Sequence, residues 1–329
     1  MEVEEEFVIT DEWFEEMKAK KEDFIITKKW LEEMGDCEDV LQVFKKYFPN
    51  GGKVSEVLKW CEELDYREFG EWLVDFLSIT DYPPLELNTS IGSLFYPNDV
   101  HIKGDMSTEG LIYIKGNLKV DGKLTVNKYG VVYSHKGSVN AGEINLSEHA
   151  YIYPNIKANS ISMRGFATIG GEVTADNINL SGNAEIKRNV IAKVINFNGG
   201  EIWGDVDADE IYSDGGYIYG DINTDVIYND GSYIYGDVDA DEIYNDGGYI
   251  RGDVDADEII NDGGIIWGNA DTIKIENING GKVDGNVDTD EIINNGGWIK
   301  GNVNTIKIEN IGSGKVGGKI TYKRSDEHK

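Results

Sequence analysis

The chain has few of the residues that many functional sites and scaffolds require. Of its 329 residues, two are cysteines, five are prolines and four are histidines. Two cysteines cannot form a disulfide scaffold or a cysteine-rich zinc site. Four scattered histidines leave few groups for metal binding or nucleophilic catalysis. No apolar run reaches the roughly 18 residues that a membrane-spanning helix needs, so the sequence gives no sign of one.

Basic residues are also scarce, with 31 Lys and Arg against 61 Asp and Glu and a formal net charge of −30. This charge has the wrong sign for binding nucleic-acid phosphates or an anionic membrane surface. The acidic start of the chain lacks the basic and apolar segments of a signal peptide, so we expect a cytoplasmic protein. In that reducing compartment, Cys37 and Cys61 are expected to be small apolar core residues.

The first 85 residues have the apolar spacing of helices, and we predict a small all-α domain over 1–85. Ser55 is expected to cap one of the helices. The apolar faces of the predicted helices contain Trp13, Phe14 and Met17; Trp30, Leu31 and Met34; Val40, Phe44, Tyr47 and Phe48; Val57, Leu58, Cys61 and Leu64; and Phe69, Trp72, Leu73, Phe76 and Leu77.

An internal repeat dominates the rest of the chain. The segment that starts at Gly204 recurs with a step of 16 residues at Gly220, Gly236 and Gly252, and with steps of 16 or 17 it continues to Gly318. Extended towards the N-terminus in a degenerate form, it makes about a dozen units. Such a unit is too short for a helical pair or a propeller blade, and it fits one turn of a β-solenoid with three short faces.

The predicted fold class is therefore mainly β: a parallel β-solenoid of about a dozen 16–17-residue coils, preceded by a small all-α domain. We assign residues 86–115 to a linker with capping strands, 116–322 to the solenoid and 323–329 to a charged tail.

The alternation within one unit predicts which side chains face the interior. Val206 and Ala208 alternate with aspartates, so period two places the two apolar residues inside and the acids outside. Ile211 and Ile218 are expected to point inward from the other two faces. Runs such as 213–216 supply corners in which Gly, Asn and Asp tolerate a positive φ. Coils would stack at about 4.8 Å, so equivalent positions form columns.

Acidic residues fill several of the outward columns. Between Glu201 and Trp267 there are nineteen acids and one base, Arg251. Unit charges about 4.8 Å apart repel by about 1 kcal/mol even in water, so these columns oppose folding. Aromatic residues form outward columns beside them. The candidate partner-binding residues are Asp205, Asp207, Asp209, Glu210, Asp221, Asp237, Asp239, Asp241, Glu242, Asp253, Asp255, Asp257, Glu258, Tyr219, Tyr235 and Trp267.

Several interpretations of these columns remain open. The acids could simply keep a β-stack soluble or be copies from a recent duplication, and the aromatics could only stabilise neighbouring strands. Alternatively, a basic partner neutralises the acids and the aromatics anchor it. A defined cation site is disfavoured because a calcium loop needs Gly at its sixth position and Glu at its twelfth, where this chain has Glu210 and Gly216. We therefore expect no metal and no cofactor.

The repeat resembles the bactofilin family of polymer-forming β-solenoids, through patterns such as Gly236-Asp-Val-Asp-Ala240 and Tyr249-Ile-Arg251. This resemblance implies end-to-end self-association. The helical region, with Trp30-Leu-Glu-Glu-Met34 and Ser55-Glu-Val-Leu-Lys-Trp60, resembles a small module that precedes repeats in phage proteins. Short coils without long loops offer no cleft that could raise the pKa of one carboxylate above that of its copies, so we expect no enzyme.

We thus expect a non-enzymatic acidic protein that binds a basic protein surface and neither nucleic acid nor membrane. The specific hypothesis is a nucleic-acid-mimicking inhibitor that occupies a basic groove of a nucleic-acid-binding, defence-type complex. The alternative is a bactofilin-like scaffold that assembles into filaments.

Overall fold

The structure is a computed structural model that describes residues 24–34, 38–79, 82–88 and 91–324. The chain forms two compact units, Met1–Gly142 and Glu143–Lys329. The predicted helix around Trp13 and the residue Cys37 lie outside the described residues. No helix in the described ranges is long and apolar enough to cross a membrane.

The described part of the first unit contains four of the five predicted helices. They are α1 (Lys28–Met34), α2 (Glu38–Tyr47), α3 (Val54–Glu63) and α4 (Arg67–Phe76), with a short antiparallel pair of strands, β1 (Ile25–Ile26) and β2 (Gly52–Lys53). The predicted cap at Ser55 is wrong. Helix α3 begins two residues after Gly52, Lys53 is its N-cap, and Ser55 is buried inside its first turn. The Lys53 N–H instead donates to the Glu56 carboxylate, at 3.3 Å.

The helices of the first unit share a core with its first strands. Phe44, Val57 and Cys61 are fully buried in this core together with Phe95 from a β-strand. The strands of the unit are β3 (Leu85–Leu87), β4 (Leu94–Tyr96), β5 (Val100–Ile102), β6 (Met106–Thr108), β7 (Leu111–Ile114), β8 (Leu118–Val126) and β9 (Val131–Ser134). Parallel pairing of Leu85 with Val100, and of Val100 with Leu118, shows that coil stacking begins at residue 85.

The second unit is a parallel stack of repeated coils. Val206 pairs with Ile222, Ile222 with Val238, and Val238 with Val254, always one repeat apart. The described residues form about 14 turns of the solenoid, against about a dozen predicted. From β10 onward the strands are Val139–Leu146, Tyr151–Ile152, Ile156–Met163, Thr168–Ile169, Val173–Ile186, Val190–Ile202, Val206–Asp214, Tyr217–Ile218, Ile222–Asp230, Tyr233–Ile234, Val238–Asp246, Tyr249–Ile250, Val254–Asp262, Ile265–Ile266, Ala270–Ile278, Lys282–Val283, Val287–Asn295, Trp298–Ile299, Val303–Thr305, Lys307–Ile311, Lys315–Val316 and Ile320–Tyr322.

The inward positions predicted from the alternation are confirmed. Val206 and Ala208 are buried, and Ile211 and Ile218 are completely so. The acids between them are exposed. The corners follow the prediction only in part: Gly263 has a positive φ of 70°, whereas the next residue, Gly264, has an ordinary backbone conformation. At Gly264 a Cβ would overlap the side-chain amide of Asn245, so this position requires glycine for lack of space.

A column of buried asparagines runs through the interior at the position of Ser213. Each side-chain amide donates to the amide oxygen of the next coil, as in Asn245 to Asn261 and Asn261 to Asn277, both at 2.8 Å. This column was not predicted, because the turn preference of Asn assigned runs such as 245–248 and 261–264 to the corners. We call it the asparagine ladder; its buried members are Asn229, Asn245, Asn261, Asn277 and Asn294, and the exposed Asn310 accepts the last bond.

A carboxyl group in the first unit makes stability depend on pH. Glu62 in α3 accepts the N–H of Phe95 at 3.0 Å. Burial raises the pKa of Glu62 to about 8, although this hydrogen bond opposes the shift. In the unfolded chain the same group ionises near its ordinary pKa, so the free energy of unfolding decreases as pH rises from about 4.5 to about 8.

We therefore expect Glu62→Gln to raise the free energy of unfolding at pH 8.5 by about 2 kcal/mol and to flatten its pH dependence. Denaturant unfolding at pH 5 and pH 8.5 measures both effects. Glu63→Gln is the control, since Glu63 is exposed on the same helix. An equal pH dependence in wild type and Glu62→Gln would contradict the assignment.

Candidate functional site

An acidic groove runs along one side of the second unit. It has a volume of about 760 Å³ and crosses six successive coils. Two rows of outward side chains form its walls, and the inward-facing strand positions between them form its floor. The acidic groove is lined by Asn189, Val190, Ile191, Asp205, Val206, Asp207, Asp221, Ile222, Asn223, Asp237, Val238, Asp239, Asp253, Val254, Asp255, Asn269 and Asp271.

The two walls are parallel because the coils stack in register. The first row contains Asp205 and its equivalents in the next three coils, and the second contains Asp207 and its equivalents, with Asn223 in place of one aspartate. Within a row, side chains repeat at the strand spacing of about 4.8 Å, and the rows lie two residues, about 6.6 Å, apart along the strand. The groove therefore offers two closely spaced lines of carboxylates.

The first row also has a structural role. The Asp221 N–H donates to the Asp205 carboxylate at 3.1 Å, and the same bond joins Asp237 to Asp221 at 2.9 Å and Asp253 to Asp237 at 2.7 Å. Asn189 makes an equivalent bond, accepting the Asp205 N–H at 3.1 Å. Because an amide oxygen serves equally well, the fold requires an acceptor at these positions and does not require a charge.

The second row has no comparable structural role. Asp207, Asp239 and Asp255 are exposed and make no hydrogen bond or ion pair with any other residue in the described part of the chain. Further along the row, burial would raise the pKa of Asp288, but hydrogen bonds from Lys323 and Asn304 lower it below its ordinary value. The carboxylates without cationic partners are therefore those of the central coils.

Other predicted acids lie outside the acidic groove. Glu210 accepts a hydrogen bond from the Tyr212 hydroxyl at 2.7 Å, and Glu242 accepts one from Tyr244 at 2.8 Å. The latter bond raises the pKa of Tyr244 to about 12. Glu258 pairs with Lys274 at 2.6 Å. These three glutamates are thus engaged within the protein. Asp209, Asp241 and Asp257 are exposed on the same strands, beyond the second row of the groove.

The predicted aromatic residues lie on another side of the unit. Tyr219 stacks on Trp203 with ring centroids 4.5 Å apart and on Tyr235 at 5.0 Å. Both tyrosines are half-buried, whereas Trp267 is 41% exposed. None of them lines the acidic groove. The structure therefore divides the candidate residues into three sets: the aspartates that line the groove, the acids on the same strands beyond it, and the aromatic residues on another side.

Neither a metal-binding cluster nor a comparison with known proteins assigns a function to this groove. Within the described ranges, no group of three or more His, Cys, Asp or Glu is arranged to hold a metal ion. Comparison with protein-family models, curated proteins and solved structures finds no match to this chain. The chemistry of the groove thus follows from its own residues: it can attract cations and hydrogen-bond donors along a line.

Proposed function

We propose that this chain is a non-enzymatic interaction protein whose acidic groove receives a basic surface of a nucleic-acid-binding partner. The observation that supports this is the two parallel rows of carboxylates, of which Asp207, Asp239 and Asp255 have no cationic partner within the described residues. Oriented rows of like charge attract and steer a surface of opposite charge. We propose that the groove thereby competes with nucleic acid as an inhibitor.

The cost of these charges supports a binding role over solubility alone. Neighbouring carboxylates about 4.8 Å apart repel by about 1 kcal/mol, and Asn189 shows that the first row does not need them for folding. Solubility would be served by acids scattered over any exposed face. The repeat differs from the axial phosphate spacing of about 3.4 Å per strand of DNA, so the mimicry would lie in field and width.

The likeness of the helical region to a module of phage proteins supports the more specific proposal, an inhibitor that acts in the host cytoplasm on a defence complex. In that setting, a partner with a basic nucleic-acid channel would encounter the groove directly. The first unit would then hold the protein in the complex or serve a partner of its own.

A charge-removal variant tests the groove. Asp207, Asp239, Asp255 and Asp271 are changed together to Asn, the residue that already stands at Asn223 in this row. The probe is a dodeca-arginine peptide, and binding is measured by calorimetry at low and high salt. We expect the four substitutions to weaken binding by about 10–100-fold, since each exposed ion pair contributes about 0.2–1 kcal/mol.

The matched control removes the same charge from one corner of the coils, by changing Asp214, Asp230, Asp246 and Asp262 to Asn. Wild type and control should bind similarly, and both should lose affinity steeply as salt rises. The wild type should also displace double-stranded DNA from a basic DNA-binding protein, whereas the groove variant should not. Equal losses in both variants, or binding that ignores salt, would refute the proposal.

A second candidate function is the bactofilin-like scaffold. The observation in its favour is that the last inward residues of the described stack, Ile308, Val316 and Ile320, are only partly buried. The residues with which they pair one repeat earlier, Ile292, Ile299 and Val303, are 0%, 0% and 1% exposed. End-to-end contact with another copy would cover the partly buried residues. Filaments of the purified protein in electron micrographs would favour this function over the inhibitor.

A further inference from the structure

We propose that a second side of the second unit is a homodimer interface, on which another copy of this chain packs antiparallel. This surface, which we call the aromatic face, consists of two outward columns on the short strands that carry Ile218 and its equivalents. The first column contains Glu185, Glu201, Tyr217, Tyr233, Tyr249, Ile265, Lys282 and Trp298. The second contains Lys187, Trp203, Tyr219, Tyr235, Arg251, Trp267, Asp284 and Lys300.

The middle of the aromatic face contains a continuous row of stacked rings. Tyr233 stacks on Tyr217 at 5.5 Å and on Tyr249 at 4.4 Å, and Tyr249 contacts Trp267 at 5.6 Å. Tyr217 and Trp267 remain 38% and 41% exposed. Stacking along the columns fixes the rings in place, so a partner would meet them without a further loss of side-chain entropy. Contiguous exposed aromatic surface of this kind marks interaction sites.

Charges on the aromatic face are distributed unevenly along the stack. Glu201 lies on the N-terminal side of the aromatic residues and Lys282 on the C-terminal side, both in the first column. Neither forms an ion pair with another residue in the described ranges. Arg251 lies between them, and its guanidinium stacks on the Tyr235 ring at 5.7 Å. The face thus has one unpaired acid at one end and unpaired cations from its centre to the other end.

A two-fold axis makes this pattern complementary to itself. We place the axis in the plane of the face, along the strands, between the coil of Tyr235 and the coil of Arg251. The two copies then run antiparallel, and each column faces its own equivalent with the coil order reversed. Glu201 meets Lys282 of the second copy, Tyr233 meets Tyr249, and Tyr235 meets Arg251. Both unpaired charges gain partners, and each guanidinium gains an aromatic ring.

The parallel arrangement is less favourable for the same residues. An axis along the stack would bring the first column of one copy against the second column of the other at the same coil. Glu201 would then face Trp203, and Lys282 would face Asp284, which Lys300 already neutralises at 2.6 Å. In the antiparallel dimer Lys187 faces Lys300 of the second copy, but each of these lysines is already paired within its own chain, with Glu185 and Asp284. The unpaired charges, Glu201 and Lys282, therefore favour the antiparallel dimer. Because the aromatic face and the acidic groove share no residue, this inference is independent of the proposed function.

Two single charge-reversal variants and the double variant that combines them test the interface. Sedimentation velocity at about 0.15 M salt, where long-range repulsion is screened beyond about 8 Å, measures the dimer dissociation constant. We expect wild type to form a dimer with increasing concentration. Glu201→Lys and Lys282→Glu should each raise the dissociation constant by about tenfold or more, because each places two like-charge pairs in the interface. The double variant should return it to within about threefold of wild type.

Asp207→Lys is the matched control, since it makes the same change of charge in the acidic groove and should leave the dissociation constant unchanged. Circular dichroism melts confirm that every variant is folded. The proposal is overturned if wild type is monomeric at all concentrations, if it forms species heavier than a dimer, or if the double variant dissociates as readily as the single variants.

Discussion

Changing Asn261 to Asp should lower the free energy of unfolding of the second unit by about 4 kcal/mol. Asn261 is completely buried in the asparagine ladder. It accepts a hydrogen bond from Asn245 and donates to the Asn277 amide oxygen, both at 2.8 Å. A carboxylate can only accept, so it would face the Asn277 oxygen and the Lys282 carbonyl without a proton to share. An unpaired buried charge costs about 3–5 kcal/mol.

The pH dependence of this loss identifies its cause. A carboxyl group at position 261 would have a raised pKa in the folded state, because burial disfavours the charge. The destabilisation would then be present above the unfolded pKa of about 3.9 and would shrink as the group is protonated and regains a donor. Chemical unfolding at pH 4 and pH 8 should show the smaller loss at pH 4.

Two further variants separate the charge from the broken ladder. Asn261→Ala should cost about 2–3 kcal/mol at both pH values, because it removes the ladder bonds and leaves a cavity without adding charge. Asn295→Asp should change stability by no more than about 0.5 kcal/mol, since Asn295 is exposed on a neighbouring corner. A loss below 1 kcal/mol for Asn261→Asp would mean that the ladder contributes little.

The inward faces of the coils could be predicted because the apolar residues that form them can be recognised from the sequence pattern within a single coil. Alternation along a strand places Val206 and Ala208 on the same face, and both are buried, as are Ile211 and Ile218 on the other two faces. The same alternation carried one step further would have found the asparagine ladder, since Ile211 is inward, Tyr212 outward and position 213 inward again. The turn preference of Asn obscured that signal, because Asn is common both at corners and in buried side-chain ladders.

Other features depend on geometry that a single sequence does not contain. Trp203 and Asp205 are only two residues apart, but the angle between successive faces of the coil places them on different surfaces. Of the two, Asp205 lines the acidic groove and Trp203 does not. The choice of Ser55 as a cap failed because tertiary packing buried its side chain in α3. By contrast, the bond from Tyr212 to Glu210 follows from same-face spacing and was available from the sequence.

Changing Gly264 to Ala should destabilise the second unit more than changing Gly263 to Ala, although only Gly263 has a positive φ. A Cβ at Gly264 would overlap the side-chain amide nitrogen of Asn245, a member of the asparagine ladder. A Cβ at Gly263 would meet only the Asn279 carbonyl oxygen, at 3.8 Å. We expect a loss of about 3 kcal/mol for Gly264→Ala, from overpacking and a broken ladder bond, and about 1 kcal/mol for Gly263→Ala, from backbone strain.

The chain itself shows how a side chain can be accommodated at this position. Ser232 stands in the coil before Gly248 and Gly264, and it is buried with its hydroxyl 2.5 Å from that of Ser213, where later coils have Asn. A small residue at the ladder position of one coil, such as Ser213, therefore leaves space for a side chain such as that of Ser232 in the next coil. The double variant Asn245→Ser with Gly264→Ser should lose less stability than the sum of its two single variants, as thermal unfolding would show. Additive losses in the double variant, or a larger loss for Gly263→Ala than for Gly264→Ala, would contradict the proposed steric demand of the asparagine ladder on Gly264.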